Sequence, residues 1–255
     1  MIKYSIVDIK GGLGNQIFQI AYAMHLRKLG HKVFTDVRFF DLENQFPRSL
    51  EINPEEFGFT NIKFKNNKIF LKLNTFFYED FSFSTKNFKW ANRFVGYYQN
   101  VQYLDSCKDE FRKILKIDQD TTNKNTIAVH IRKTDYSTIQ QELSKNYYTK
   151  ALNLFEDNSL IDIFTDEDHL PFEDLFSKKN INNVYTNNNK AKPVDALKKL
   201  STYSNYIIAN SSFSLIASIL SAKSNKKVIY PSPWFRKSDI HIVNIPTDWI
   251  SIFND

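Results

Sequence analysis

Four short stretches of this chain combine residue types that grip anions or move protons. The first is Gly11-Gly12-Leu13-Gly14-Asn15-Gln16. A turn without β-carbons lets backbone approach a ligand closely, and its amides point outward at a helix start. Phosphate or pyrophosphate is the natural ligand. A tight strand-to-helix turn needing positive φ explains the same glycines. The second stretch is Val129-His130-Ile131-Arg132-Lys133-Thr134-Asp135-Tyr136. Two adjacent cations at a strand end suit a diphosphate, which arginine holds with a fork of donors. Asp135 either steadies a cation or accepts a proton. The plainer reading is a surface Arg/Asp pair worth about 0–1 kcal/mol.

The third stretch is Asp162-Ile163-Phe164-Thr165-Asp166-Glu167-Asp168. Such acids accept from the amino and imino groups of guanine, or from ribose hydroxyls, and they also suit a divalent cation. An acidic helix start favoured by the helix dipole is the alternative. The fourth is Ile207-Ile208-Ala209-Asn210-Ser211-Ser212-Phe213-Ser214. Here an apolar strand ends in hydroxyls and an amide that open a helix, at once a cap and an anion site.

The elements that must position these residues follow from periodicity. Ile2–Ile9 reads as a strand and Asn15–Leu29 as a helix that Gly30 stops. Lys32–Thr35 reads as a second strand. Asn100–Ile117 has helical spacing, whereas Phe40–Trp90 has no clean period and stays unassigned. The polar run Asp118–Asn125 marks a domain boundary. Beyond it, strands at Thr126–Ile131, Leu160–Phe164, Asn183–Tyr185, Tyr206–Ala209 and Lys227–Tyr230 alternate with helices at Tyr147–Glu156, Pro193–Tyr203 and Ser212–Ala222. That alternation implies a parallel sheet, whose ligands bind at the carboxyl ends of strands. The expected domains are residues 1–118 and 119–255.

Composition narrows the class. With 255 residues, 42% hydrophobic and 24% charged, the chain is an ordinary globular protein of one or two domains. Six glycines and seven prolines exclude collagen-like or linker-dominated architecture. The net charge of +6 is spread, with no block of the nucleic-acid type. Anionic small molecules, or a weak pull toward anionic membrane surfaces, fit better. The single Cys107 excludes an intramolecular disulfide and a cysteine-rich zinc site. Met1–Ile9 lacks a signal-peptide pattern, and no window reaches 18 apolar residues without a charge. A reducing cytoplasm is therefore the expected compartment.

Taken in order, GGLGNQIFQIAYA (Gly11–Ala23), FVGYYQNVQYL (Phe94–Leu104), VHIRKTDY (Val129–Tyr136), DIFTDED (Asp162–Asp168) and IIANSSFSLIASIL (Ile207–Leu220) resemble the α-1,2-fucosyltransferases, glycosyltransferase family eleven. VIYPSPWF (Val228–Phe235) is similar to that family's C-terminal block. The resemblance implies an α/β fold of the GT-B type, with two facing Rossmann-like domains and the active site in their cleft. It implies GDP-fucose as donor, inversion at the fucose anomeric carbon, no required cofactor and no metal. It assigns the nucleotide to the C-terminal domain and the acceptor mainly to the N-terminal one. Carried over by motif, Arg132 and Lys133 meet the diphosphate and His130 the nucleotide. Asp166 and Asp168 face guanosine, and Asn210, Ser211 and Ser212 lie near the phosphates. Gly12, Gly14 and Asn15 approach from the opposite domain. Two positions depart from the family pattern, where a second arginine and a glycine usually stand: here they are Lys133 and Thr134. Leu215 and Ile216 replace a common tryptophan pair, which reads as packing.

The expected reaction is attack by an acceptor hydroxyl, the 2-OH of a galactose, on fucose C1 with GDP leaving, in the synthesis of a bacterial surface polysaccharide. Arg132 is the expected electrostatic catalyst, with Asp135 the first and Asp8 the second candidate base. The partners are a GDP-sugar and an oligosaccharide acceptor, free or lipid-linked, with at most peripheral contact with the inner face of the cytoplasmic membrane. Three rival readings stand beside this one. One is transfer of another GDP-sugar. Another is an NAD-type oxidoreductase built on Gly12, Gly14 and Asp36, although Ile17 occupies the third glycine position of that fingerprint. The third is a degenerate sugar-nucleotide-binding protein.

Overall fold

The computed structural model describes residues 3–41, 48–62, 91–117, 125–189, 191–236 and 244–254. The chain divides into two compact units, Met1–Ile114 with Ile242–Asn244, and Leu115–His241 with Ile245–Asp255. Most of the polar boundary run, residues 118–124, lies outside the described residues, as do residues 63–90 of the unassigned stretch.

In the first unit, β1 (Lys3–Asp8), β2 (His31–Asp36), β3 (Thr60–Ile62) and β4 (Ala91–Phe94) form a parallel sheet of order β3-β2-β1-β4. Helix α1 (Leu13–Lys28) follows β1 and is buried nearly all round. That enclosure is why its sequence shows only a loose apolar stripe: no face needs to be polar. Two glutamines in the first two turns of this apolar helix are fully buried, and each bonds through both its amide nitrogen and its oxygen. Gln16 donates to the carbonyls of Gly11 and Ser49, both at 2.9 Å, and accepts from the Glu51 amide at 2.9 Å. Gln19 accepts from the Lys10 amide and donates to the Gly96 carbonyl, both at 2.9 Å. Gly30, at φ +85°, ends the helix as expected. The helix expected over Asn100–Ile117 is instead two, α2 (Val101–Asp105) and α3 (Lys108–Leu115). The break falls where Ser106 Oγ and Cys107 Sγ both donate to the Tyr103 carbonyl, at 2.9 and 3.2 Å, in competition with the backbone ladder.

In the second unit, β5 (Thr126–Ile131), β6 (Leu160–Thr165), β7 (Asn180–Tyr185), β8 (Asn205–Ile207), β9 (Lys227–Ser232) and β10 (Ile250–Phe253) form a parallel sheet of order β10-β9-β8-β5-β6-β7. Counted from its own first strand this is the 3-2-1-4-5-6 order of the doubly wound dinucleotide folds. The connecting helices are α4 (Thr134–Thr138), α5 (Lys145–Leu152), α6 (Glu173–Phe176), α7 (Pro193–Leu200) and α8 (Ser212–Leu220). All six residues of β5 are buried, as a central parallel strand with both faces covered must be. Val129, Ile163, Ile207 and Ile229, one from each of four neighbouring strands, are fully buried with Tyr147 and Tyr148 of α5. Truncating such an isoleucine to alanine typically costs about 2–5 kcal/mol. The tyrosine hydroxyls reach back to the sheet, Tyr147 to the Ile208 carbonyl at 2.7 Å and Tyr148 to the His130 carbonyl at 3.2 Å. They tie α5 to the strand ends that carry the site.

Candidate active site

In each sheet the chain goes one way from its first strand and then crosses to the other side. The crevice outside the carboxyl ends at that reversal is where doubly wound sheets bind ligands. In the second unit the reversal lies between β5 and β8. His130 and Arg132 come from the end of β5, and Asn210, Ser211 and Ser212 follow β8.

His130 is 5% exposed, and burial, reinforced by the nearby Arg132 cation, pushes its imidazole down to about 3. It is neutral at any physiological pH. Its Nδ1 finds no hydrogen-bond partner among the described residues, and its ring lies 5.7 Å from that of Phe213. Asn210 is fully buried. Its Nδ2 donates to the Gln141 carbonyl at 2.8 Å, while its Oδ1 is likewise without a partner. Ser211 caps α8 by accepting from the Phe213 amide at 3.3 Å, and Ser212 is the first residue of that helix.

Arg132 is held on two sides. Its guanidinium meets Asp135 through Nε at 2.9 Å and through a terminal nitrogen at 2.8 Å. Nε also stands 3.2 Å from Asp166, just past the end of the neighbouring strand β6. The parallel register pairs Ile131 with Thr165, so one further step along both strands brings Arg132 beside Asp166. The Asp166 carboxylate also accepts the backbone N–H of Lys133 at 2.9 Å, the N–H of Thr134 at 3.2 Å and the Thr134 hydroxyl. The adjacent cation is engaged elsewhere, with Lys133 Nζ 4.8 Å from the centre of the Phe172 ring. The acidic run is therefore not one cluster. Asp162 is buried and accepts from Asn182 and Asn183 at 2.9 Å and from the Tyr203 hydroxyl. Asp168 is exposed, and its carbonyl accepts from Asn188.

Two residues that carried no clear sequence signal complete this edge. The Tyr136 ring stands 5.6 Å from the Arg132 guanidinium, and its hydroxyl donates to the Asn210 carbonyl at 3.0 Å. Burial pushes that phenol up to about 12. Gln141 exchanges bonds with the Arg236 backbone at 3.0 and 2.8 Å, besides accepting from Asn210. A tyrosine four residues after an arginine is the one hint the sequence held.

The remaining sequence candidates stand at the end of the first sheet. Gly11, at φ +79°, makes the turn, and Gly12 caps α1 without a side chain. Gly14 is buried inside the helix, and Asn15 Oδ1 accepts from Gln99 at 2.8 Å. Asp8 and Asp36 are register partners on β1 and β2 and share Arg93, at 2.8 and 3.0 Å. Asp36 also pairs with Arg38. Held by two arginines, Asp36 is poorly suited to receive a ribose diol. Burial raises the Asp8 carboxyl above the usual carboxylate range, with Arg93 opposing the shift, and Asp8 Oδ1 has no partner among the described residues.

Residues 59–250 match the model for glycosyl transferase family 11. The chain belongs to that family. The match takes in the β5, β6 and β8 ends and leaves the Gly11–Gly14 turn outside. The chain is 28% identical to the O-antigen biosynthesis glycosyltransferase WbnK of Escherichia coli, over 89% of this chain and 93% of that one. It is 25% identical to an alpha-1,2-colitosyltransferase of Escherichia coli, over 97% and 98%. Among solved structures, the fucosyltransferase NodZ from Bradyrhizobium aligns over 86% of this chain and 92% of that one, at 13% identity and a TM-score of 0.43. As a family 11 member the protein is a glycosyltransferase. Among its described residues no group of three or more His, Cys, Asp or Glu side chains is placed to hold a metal ion, and no helix is long and apolar enough to cross a membrane.

Proposed function

We propose that this family 11 enzyme transfers fucose from GDP-fucose, with inversion, to the 2-OH of a galactose in an acceptor glycan. The observation that carries the reading is the β5/β8 strand end. There a buttressed arginine and the capped start of α8 converge on one crevice, beside two buried polar atoms, His130 Nδ1 and Asn210 Oδ1, that have no partner among the described residues. A buried polar atom without a partner costs free energy unless a ligand satisfies it. A nucleoside diphosphate offers both the charge for Arg132 and polar edges for such atoms.

The chemical demand is the charge that builds on the departing diphosphate. Arg132 and the amides at the start of α8 meet it without reorganising, and such fixed donors gain strength as charge develops. Arg132 and this helix start take the place of a divalent cation, so transfer survives EDTA. Loss of turnover in EDTA that Mg²⁺ or Mn²⁺ restores defeats this part of the reading. The acceptor hydroxyl loses its proton late, to Asp135 or Asp8. The acceptor belongs to a surface polysaccharide, in line with the O-antigen relative.

A second reading, transfer of colitose, is favoured by the similarity to the alpha-1,2-colitosyltransferase. Thermal shift with GDP, UDP and NAD, followed by a donor and acceptor screen with linkage analysis of the product, tests both. GDP alone is expected to raise the melting temperature. A larger shift with UDP defeats the guanosine assignment, and transfer of colitose in preference to fucose selects the second reading.

A further inference from the structure

Asp166 was expected to face guanosine, but its carboxylate is occupied within the protein. Oδ1 accepts the Lys133 amide at 2.9 Å. Oδ2 receives the Thr134 amide at 3.2 Å and the Thr134 hydroxyl, and it lies 3.2 Å from Arg132 Nε as an ion pair, the Nε hydrogen itself going to Asp135. Thr134 Oγ1 also lies 3.2 Å from the Asp166 carbonyl oxygen. Three hydrogen bonds and a neighbouring guanidinium thus engage a carboxylate that offers about four lone-pair sites. These partners all belong to three consecutive residues, 132–134, that leave the end of β5 and open α4. Asp166 thus does for α4, from another strand, what an N-cap does from within: Lys133 stands at the cap position and supplies no side-chain bond. Thr134, which departs from the glycine usual in the resembling family, contributes two of the three hydrogen bonds to the carboxylate.

We infer that Asp166 and Thr134 form a clamp that positions the Arg132 guanidinium, and that Asp166 is a positioning residue and not a nucleotide contact. The inference rests on the proposed reading of Arg132 as the diphosphate-binding group. Asparagine at 166 keeps one accepting oxygen and introduces a donor against a row of donors. Valine at 134 keeps the shape of threonine without its hydroxyl, and serine restores the hydroxyl.

The test measures GDP affinity by calorimetry, and amide hydrogen exchange in the nucleotide-free protein, for wild type, Asp166→Asn, Thr134→Val, Thr134→Ser, Arg132→Ala and the Arg132→Ala/Asp166→Asn double variant. Asp166→Asn is expected to weaken GDP binding about tenfold or more, Thr134→Val less, and Thr134→Ser hardly at all. In the Arg132→Ala background the second change should add less than about twofold, because residues that act through one another are not additive. Full additivity shows that Asp166 acts independently of Arg132 and overturns the inference. Exchange separates this from the donor reading. Slow Lys133 and Thr134 amides that become fast in Asp166→Asn support the clamp whether or not GDP binds. Fast amides in the wild type overturn it even if GDP binds. Thr134→Val, the milder change, serves if Asp166→Asn fails to fold.

Discussion

Arg132 Nε stands 3.2 Å from the Asp166 carboxylate, although the two residues follow different strands and lie 34 positions apart. The contact follows from parallel pairing alone, since β5 and β6 run in register to Ile131 and Thr165. The guanidinium is therefore held before any ligand arrives, by Asp166 on one side and Asp135 on the other. Preorganised donors of this kind are what a leaving diphosphate requires.

Arg132→Ala is expected to lower kcat by about 10²–10³, the usual effect of losing one preorganised donor. Arg132→Lys should not rescue, because a point charge lacks the fork. Lys133→Ala should lose clearly less, since its ammonium lies over Phe172. Steady-state transfer, with circular dichroism to confirm folding, decides. A folded Arg132→Ala within about threefold of wild type places the site elsewhere.

The two candidate bases are separable by pH profile. Burial raises the Asp8 carboxyl, so a base at Asp8 puts the acid limb of kcat/KM above the ordinary aspartate range. Asp8→Asn is then expected to remove that limb, while Asp135→Asn leaves its position unchanged and lowers the plateau through Arg132. An unchanged profile in Asp8→Asn excludes Asp8 as the base.

His130 makes folding sensitive to acid. Its folded imidazole titrates at about 3 and an unfolded one near 6.5. Between these values the unfolded chain binds a proton that the native chain does not, so stability falls as the pH falls. The slope contributed by one such group approaches about 1.4 kcal/mol per pH unit. His130→Gln should flatten urea-derived stability between pH 6 and 5 by about that amount. His25 and His31, also lowered by burial, keep a residual slope. Parallel curves for variant and wild type refute the assignment.

Gln16 is expected to be structural. Its side chain bonds Gly11, Ser49 and Glu51 from inside an apolar helix. Gln16→Leu leaves those backbone groups without it, at roughly 1–3 kcal/mol for each one that water cannot reach. The urea midpoint should fall, with Arg132-dependent GDP binding unchanged in the protein that remains folded. A midpoint equal to wild type shows that water replaces the amide.

What the sequence disclosed was local. β5 was legible to the residue, because a buried parallel strand is a continuous apolar run. The start of α8 was legible from its serine cap. The edge strand β10 was not, because Ile250–Phe253 is short and mostly exposed, and so carries little pattern. β3 and β4 lie in or beside a phenylalanine-rich stretch without a period. The roles of the acids were the least legible. Asp162 and Asp166 look alike in the sequence, yet one is closed in by Tyr203 and two asparagines while the other clamps a turn. Alternation along a parallel strand permits either role, and only the neighbouring strand chooses between them. The buried Gln16 and Gln19 and the half-buried Gln141 were silent, because their partners are backbone groups of other segments and leave no mark on residue types.

The strand order has a consequence for the nascent chain. β5 occupies the middle of its sheet but is the first of its strands to be synthesised. The Asn210 carbonyl that receives the Tyr136 hydroxyl lies 74 residues downstream. At about 5–20 residues per second, those residues take roughly 4–15 s to emerge. Throughout that interval an apolar strand waits with its β8 edge unpaired, and the arginine turn has no floor beneath it. Growth from the middle outward leaves the site incomplete until β8 and the start of α8 have emerged.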